Sequence, residues 1–156
     1  MNRCLKLEYE LIKVINSQPR DISRDETLEW ETVHMASSGR TAWLLALERG
    51  IDPEIPACAA VVHDYGRIIT GIQKNHAEAG YLPVQEFLKG TGLFTTGEIE
   101  IIAAAVKNHS LKTETGTPVE EIVKDADVID CYQYGYPFDR PEKEERYKKW
   151  RRENGI

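Results

Sequence analysis

The residues of this chain best suited to bind a metal ion are its histidines and two aspartates. The four histidines each lie in or at the edge of a predicted helix: His34, His63, His76 and His109. His63 is followed directly by Asp64, and Asp127 lies in the segment KDADVID. Imidazole and carboxylate groups together suit zinc, iron, manganese, nickel or cobalt. The set therefore predicts a site for one or two divalent transition-metal ions.

A structural interpretation of these histidines competes with the metal interpretation. A lone histidine near a core is usually a packing residue, and a lone His-Asp pair means little. Here all four histidines lie on inner segments, and one adjoins an aspartate at the end of the most apolar helix. Burying that many titratable groups costs free energy unless something pairs them. A bound metal would pair them all at once, so we favour the metal interpretation.

The elements that must position these residues are helical almost throughout, because apolar residues recur at helical spacing and no stretch shows sustained strand alternation. We predict helices at about 5–17, 25–48, 52–63, 74–88, 98–108 and 118–132, and a solvated or frayed helix in the charged tail at 141–154. The second helix is expected to be interrupted near 37–39 and the fourth at Pro83, with a loop or short turn at 68–71. The third is apolar on nearly every face and should be central. This is an all-α bundle.

Length and composition fit one domain spanning residues 1–156, with its motifs at about 32–134 and a charged C-terminal tail at 139–156. Charged residues make up 29% and apolar residues 41% of the chain, an ordinary balance for a globular protein. The formal net charge of −6 argues against binding to nucleic-acid polymers or anionic membranes. The negative net charge does not exclude a small phosphorylated substrate, since a metal and a few cations supply a local positive field.

Three widely spaced cysteines, with no CxxC, indicate neither a disulfide framework nor a thiolate zinc site. The N-terminal stretch carries two glutamates and does not resemble a secretory signal. No apolar run approaches the roughly 20 residues that span a bilayer. We therefore expect a cytoplasmic protein. The charged tail and the exposed helix faces are compatible with a homodimer.

The order and context of the metal-binding candidates resemble the HD-domain superfamily of metal-dependent phosphohydrolases. His34, then His63-Asp64, then Asp127 is similar to the family's H…HD…D signature. HDYGR resembles its HD-x-G-[KR] turn, and HAEAG its H-x-x-x-G element. IIAAAVKNHS and PVEEIVKDADVID resemble the later histidine and closing aspartate segments. The resemblance covers about 32–134 and implies an all-helical bundle.

The resemblance implies a division of the ligands between two ions. The first metal would be held by four residues: His34, His63, Asp64 and Asp127. Members with two further histidines bind a second metal, with the HD aspartate bridging, and His76 and His109 match those positions. Some dinuclear subfamilies carry a His-His pair where this chain has Asn108-His109. That difference argues against a cyclic-dinucleotide phosphodiesterase of that type.

Further residues are candidates for contact with the substrate. Asp64 and Arg67 are the predicted catalytic residues, and Arg67 follows Asp64 by one helical turn, within reach of a phosphate oxygen. Arg67 could equally cap the helix end at the surface. Lys74 is a weaker candidate. Asp130 could contact substrate, support a ligand, or be an ordinary polar-face residue.

The resemblance implies hydrolysis of a small phosphate ester, a nucleotide or dinucleotide, by a metal-activated water. Two alternatives stay open. A minority of the superfamily uses the same four histidines and two aspartates for a di-iron centre that reacts with O₂. Other HD-type domains are non-catalytic regulatory modules.

Overall fold

The computed structural model describes residues 2–156, which form eight helices and no strand. The helices are α1 (Arg3–Ser17), α2 (Leu28–Glu48), α3 (Glu54–Val62), α4 (Tyr65–Thr70), α5 (His76–Thr91), α6 (Thr96–Asn108), α7 (Pro118–Gln133) and α8 (Pro141–Glu153). The all-α prediction is confirmed. None of these helices is long and apolar enough to cross a membrane.

Helix α3 lies at the centre of the bundle, in contact with α1, α2, α6 and α7. Every residue from Ala57 to Val62 is fully buried, as the apolar run predicts. Small side chains dominate this helix and let its neighbours approach closely. At Gly39 of α2, an added Cβ would lie 2.7 Å from Cγ2 of Val61. Helix α3 thus sets the positions of the elements around it.

The helix starts follow the local capping chemistry of the sequence. Thr95 and Thr117 are the N-caps of α6 and α7, and each accepts a hydrogen bond from the N–H of a glutamate three residues on. Both glutamates return a bond to the cap backbone, which completes two capping boxes. These caps fix the start of two helices that carry or precede site residues.

The structure differs from the sequence expectation in three places. Residues 68–70, expected to lie in a loop or short turn, are the last residues of α4, and Gly71 caps this helix with a φ of 76°. Helix α2 runs unbroken through 37–39, because Gly39 faces the packed side of α3. Pro83 lies inside α5 without ending it. The charged tail is a defined helix with no buried residue of its own.

Helices α4 and α5 touch backbone to backbone at a pair of glycines. An added Cβ at Gly80 would lie 2.8 Å from the backbone N of Gly66, and one at Gly66 would lie 2.0 Å from the carbonyl O of His76. Only glycine permits this approach. The contact fixes the start of α5, and hence His76, against the turn that carries Asp64.

We expect Gly80→Ala to lower the free energy of unfolding by about 1–3 kcal/mol, because two backbones must separate to admit the methyl group. Urea denaturation measures the change. Gly90→Ala, in the same helix with no atom within 4 Å of the added Cβ, is the control and should stabilise by about 0.5–1 kcal/mol. Equal effects of the two substitutions would contradict the close-contact argument.

Candidate metal centre

The six candidate ligands converge from five parts of the chain. His34 comes from the middle of α2, His63 and Asp64 from the junction between α3 and α4, and His76 from the first position of α5. His109 directly follows α6, and Asp127 lies on α7. All four histidines and Asp64 are buried. The structure thus brings together side chains separated by more than ninety positions in the sequence.

One half of the cluster joins two imidazoles to two carboxylates. The Nε2 atoms of His34 and His63 are 3.1 Å apart. They lie 3.4 and 3.1 Å from Oδ2 of Asp64. They lie 3.3 and 3.7 Å from Oδ1 of Asp127. Four donor atoms therefore face one small volume.

The other half of the cluster uses the second oxygen of Asp64. The Nε2 atoms of His76 and His109 are 2.9 Å apart. They lie 3.0 and 3.6 Å from Oδ1 of Asp64. Asp64 therefore presents one carboxylate oxygen to each pair of histidines and lies between them.

Each imidazole is oriented by an acceptor behind it. Nδ1 of His63 lies 2.6 Å from the carbonyl O of Ala60, and Nδ1 of His109 lies 2.7 Å from that of Val106. Both histidines are helix C-caps, where such carbonyls lack a helical partner. Nδ1 of His76 lies 2.7 Å from the carbonyl O of Gln73.

Because a carbonyl only accepts, Nδ1 of these three histidines must donate, so in the neutral ring the lone pair is on Nε2 and points into the cluster. For His34 the acceptor is a side chain. Its Nδ1 lies 2.7 Å from Oδ2 of Asp130, so the same tautomer results. All four rings therefore present a ligand-competent nitrogen to the same space.

A buried cation backs each ligand carboxylate. Arg67 donates to Oδ2 of Asp64 and also forms a two-bond pair with Glu31, at 2.8 and 3.1 Å. Lys112 donates to Oδ2 of Asp127 at 2.6 Å and to the carbonyl O of Lys124 at 3.2 Å. These bonds hold Asp127 with only Oδ1 toward the histidines. They also compensate the two buried negative charges.

The pKa values of His34 and His63 are shifted in the opposite direction from that of His109. Burial lowers the pKa of His63, but the charges and hydrogen bonds of Asp64 and Asp127 outweigh burial and raise that pKa to about 9. Burial also lowers the pKa of His34, but hydrogen bonds to carboxylates outweigh burial and raise that pKa well above its usual value. In the other half, burial lowers the pKa of His109 to about 4. The raised pKa values keep His34 and His63 protonated at neutral pH when no metal is bound.

The chemistry of the donor set fits divalent transition metals. One set consists of His34, His63 and Asp64 and the other of Asp64, His76 and His109, with the ligand atoms of each set within 4.8 Å of one another. Asp127 adds a carboxylate oxygen to the first set. Nitrogen and oxygen donors in this ratio suit zinc, iron, manganese, nickel and cobalt. Cys131 also lies near His34 and Asp127.

The three predicted substrate-contact residues differ in where they lie relative to the cluster. Arg67 is buried rather than a surface cap, and it lines the cavity over the cluster while pairing with Asp64 and Glu31. Asp130 is 1% exposed and lies behind His34, where its carboxylate orients the imidazole; this position does not support a substrate contact. Lys74 is exposed and is not among the residues that line this cavity.

Sequence reasoning missed two buried partners of the ligands and the contact made by Trp30. Lys112 and Glu31 are charged residues with no local sequence feature that signals burial. The indole of Trp30 stacks on the ring of His34, with centroids 5.0 Å apart. The one available signal was spacing, since Trp30 precedes His34 by one helical turn.

Comparison with known proteins agrees with this geometry. The family model described as HD domain matches residues 33–132, more than half of the chain. The chain belongs to the HD-domain family. The HD domain is found in a superfamily of metal-dependent hydrolases and implies divalent metal binding, which the donor set of this chain fits.

A solved structure supports the fold of this HD-domain chain. It is the crystal structure of a "predicted HD superfamily hydrolase" from an uncultured Thermotogales bacterium. The two chains are 22% identical and superpose with a TM-score of 0.61, covering 90% of this chain and 84% of the other. No curated protein matches the chain.

Metal binding should release protons and strengthen as pH rises from about 6.5 to 9. The proton on His63 must leave before Nε2 can act as a ligand, and the raised pKa of about 9 keeps it bound at neutral pH. Titration calorimetry with Mn²⁺ in two buffers of different ionisation enthalpy measures the release. His63→Ala should release fewer protons, whereas His109→Ala should release as many as the unchanged protein, because the pKa of His109 is about 4. An equal decrease in the number of released protons in both variants would contradict this difference in pKa.

The metal-free protein should lose stability over the same pH range. A histidine whose pKa is raised in the folded state stabilises the fold fully below its unfolded pKa, near 6.5, and progressively less as pH rises toward 9. Thermal unfolding in chelator at pH 6, 7.5 and 9 tests this. A melting temperature that rises with pH over this interval in the unchanged protein, but not in His63→Ala, would contradict the predicted loss of stability.

Proposed function

We propose that this chain is a metal-dependent phosphohydrolase that cleaves a small phosphate ester, most suitably a nucleotide, at a dinuclear centre. The observation that carries the proposal is the position of Asp64, with one oxygen toward His34 and His63 and the other toward His76 and His109. A carboxylate so placed can bridge two ions, and paired ions are a recurring arrangement in phosphoester hydrolysis.

The metal chemistry would be supplied by two sets of residues. His34, His63, Asp64 and Asp127 would hold one ion, and Asp64, His76 and His109 the other. Bound divalent ions acidify a water molecule and neutralise charge on phosphoryl oxygens. The protein's part is to keep this geometry fixed. The acceptors behind the imidazoles and the buried cations behind the carboxylates do so before any substrate binds.

A cavity of about 250 Å³ opens over the cluster, with Asp64, His76, His109 and Asp127 at its base. This is slightly below the roughly 300–1,000 Å³ of most small-molecule sites, which favours a mononucleotide-sized ester over a dinucleotide. Arg67 also lines the cavity. One of its nitrogens is bonded to Gln73 at 2.7 Å, a contact that a phosphate oxygen could replace.

Aromatic side chains form the opposite side of this cavity, which supports a planar group in the substrate. Trp30, Tyr132, Tyr136 and Phe138 line it. Tyr136 stacks on Trp30 with centroids 4.4 Å apart, and Tyr132 stacks on Phe138 at 5.0 Å. Flat aromatic faces suit a nucleobase, since stacking tolerates any base. We therefore place the base against this wall and the scissile phosphate over Asp64.

The metal content of freshly purified protein should be two ions per chain, measured by elemental analysis without added metal or chelator. His109→Ala should reduce it to one, because the second set then keeps only His76 and Asp64. Asp64→Ala should abolish uptake at both positions, since both sets use its oxygens. One ion in the unchanged protein would contradict the dinuclear centre and leave a mononuclear hydrolase.

Activity should appear as phosphate release from nucleoside monophosphates by the Mn²⁺- or Fe²⁺-loaded protein. Tyr136→Ala should raise KM for these substrates by about tenfold, because a stacking face of the cavity is lost, and should leave the KM for a phosphate ester without an aromatic group nearly unchanged. Tyr9→Ala, which removes an exposed tyrosine of α1 outside this cavity, is the matched control. Full activity in Asp64→Ala would contradict the proposal. Substrate-dependent O₂ consumption without phosphate release would favour the di-iron oxygenase instead.

A further inference from the structure

Two cavities adjoin on either side of His76. The first is the cavity over the metal centre, and the second, about 440 Å³, opens beside the start of α5. The residues that line both are Gln73, His76, Ser110, Asp139, Arg140 and Lys143. A substrate bound over the cluster can therefore extend past this shared wall into the second cavity.

Arg140 and Lys143 are the cations of the shared wall. Nη1 of Arg140 lies 3.3 Å from the carbonyl O of Ser110, the residue after His109. Lys143 lies in the first turn of α8 and is only 21% exposed. Arg146 holds this helix in place through bonds to Glu121 and Asp125 at 3.0 and 2.9 Å. Both cations thus have defined positions, and both lie beyond residue 132, where the match to the HD domain ends.

Cations outnumber carboxylates among the side chains that line the second cavity, in a chain whose formal net charge is −6. Three cations line it, Lys107, Arg140 and Lys143, against two carboxylates, Glu78 and Asp139. The amides of Asn75 and Asn108 lie on the same surface. A local excess of cations with nearby amide donors suits an anionic group of the substrate.

The present partners of the two cations are an exposed and a half-buried carboxylate. Lys143 lies 2.7 Å from Asp139, which is 61% exposed, and Arg140 lies 3.3 Å from Glu142, which is 26% exposed. Ion pairs near the surface contribute little to stability. A phosphate dianion, with three acceptor oxygens, can replace both carboxylates and bind guanidinium and ammonium groups together.

We propose that Arg140 and Lys143 bind a second phosphate group of the substrate, carried on the part of the ester that extends toward the second cavity. The scissile phosphate lies at the metal centre. The distal phosphate is unchanged by the reaction: water adds to the scissile phosphorus, and the ester oxygen leaves as an alcohol with the proton. This subsite rests on the proposed phosphohydrolase function and assigns the enzyme a preference for bisphosphate over monophosphate esters.

The test compares a monophosphate ester with its bisphosphate counterpart on the same nucleoside, and again on the same sugar, with Mn²⁺-loaded full-length protein. The unchanged protein should show a kcat/KM about tenfold higher for the bisphosphate, mainly through KM, as expected for charge-assisted contacts at a half-exposed site. Chromatography of the products identifies the phosphate that leaves.

The double variant Arg140→Gln/Lys143→Gln should bring the two substrates to near parity, because kcat/KM falls for the bisphosphate and much less for the monophosphate. Lys148→Gln, a half-exposed lysine on the same helix, is the matched control and should keep the preference. Arg140→Lys/Lys143→Arg should keep most of it, because both charges remain. If the glutamine variant is unstable, Lys143→Gln alone serves and should reduce the preference in part.

A preference absent from the unchanged protein, or fully kept in the glutamine variant, overturns the subsite and leaves the phosphohydrolase standing. Hydrolysis of neither ester by the metal-loaded protein overturns the phosphohydrolase itself, and the subsite with it. Equal loss of activity toward both esters in the glutamine variant also overturns the subsite, because it shows a general structural effect.

Discussion

The position of the Asp64 carboxylate constrains the rest of the structure. Its two oxygens face different pairs of imidazoles within 3.6 Å, so both pairs must be delivered to one buried point. The residue lies where the central helix α3 ends, and helices α2, α5, α6 and α7 must all reach that point. The apolar, small-residue surface of α3 and the glycine contact between α4 and α5 permit this convergence. Packing and chemistry therefore depend on the same junction.

The free-energy cost of burying four imidazoles and two carboxylates is offset by a surrounding layer of partners. Carbonyl groups at helix ends orient three of the rings, and Asp130 orients the fourth. Arg67 and Lys112 compensate the carboxylates. Two of these oriented rings, His63 and His109, are helix caps, so unpaired backbone carbonyls that would otherwise need water serve the site. The helical ends and the metal centre are satisfied by the same bonds.

Helical spacing was sufficient to predict the helical fold. The six residues that the structure brings together were nominated by residue type together with the resemblance to the HD-domain superfamily. The sequence was not sufficient for the residues behind them. Lys112 is buried only because the loop after α6 folds onto α7, and Glu31 only because α2 passes Arg67; neither fact has a local signature. The role of Asp130 also could not be predicted from the sequence, because it depends on which face of α7 meets His34. The helix α4 was missed because six residues provide too short a period to distinguish it from a turn.

The stack between Trp30 and His34 has an optical consequence. The indole lies nearly parallel to the imidazole, with an interplanar angle of 11°, and Tyr136 covers its other face. A change in the charge or occupancy of that imidazole therefore occurs within a few ångströms of a fluorophore. Trp43 and Trp150 pack against the hydrophobic core and do not share this contact. The emission of Trp30 is thus a built-in reporter of the state of the metal centre, readable in solution without any added label.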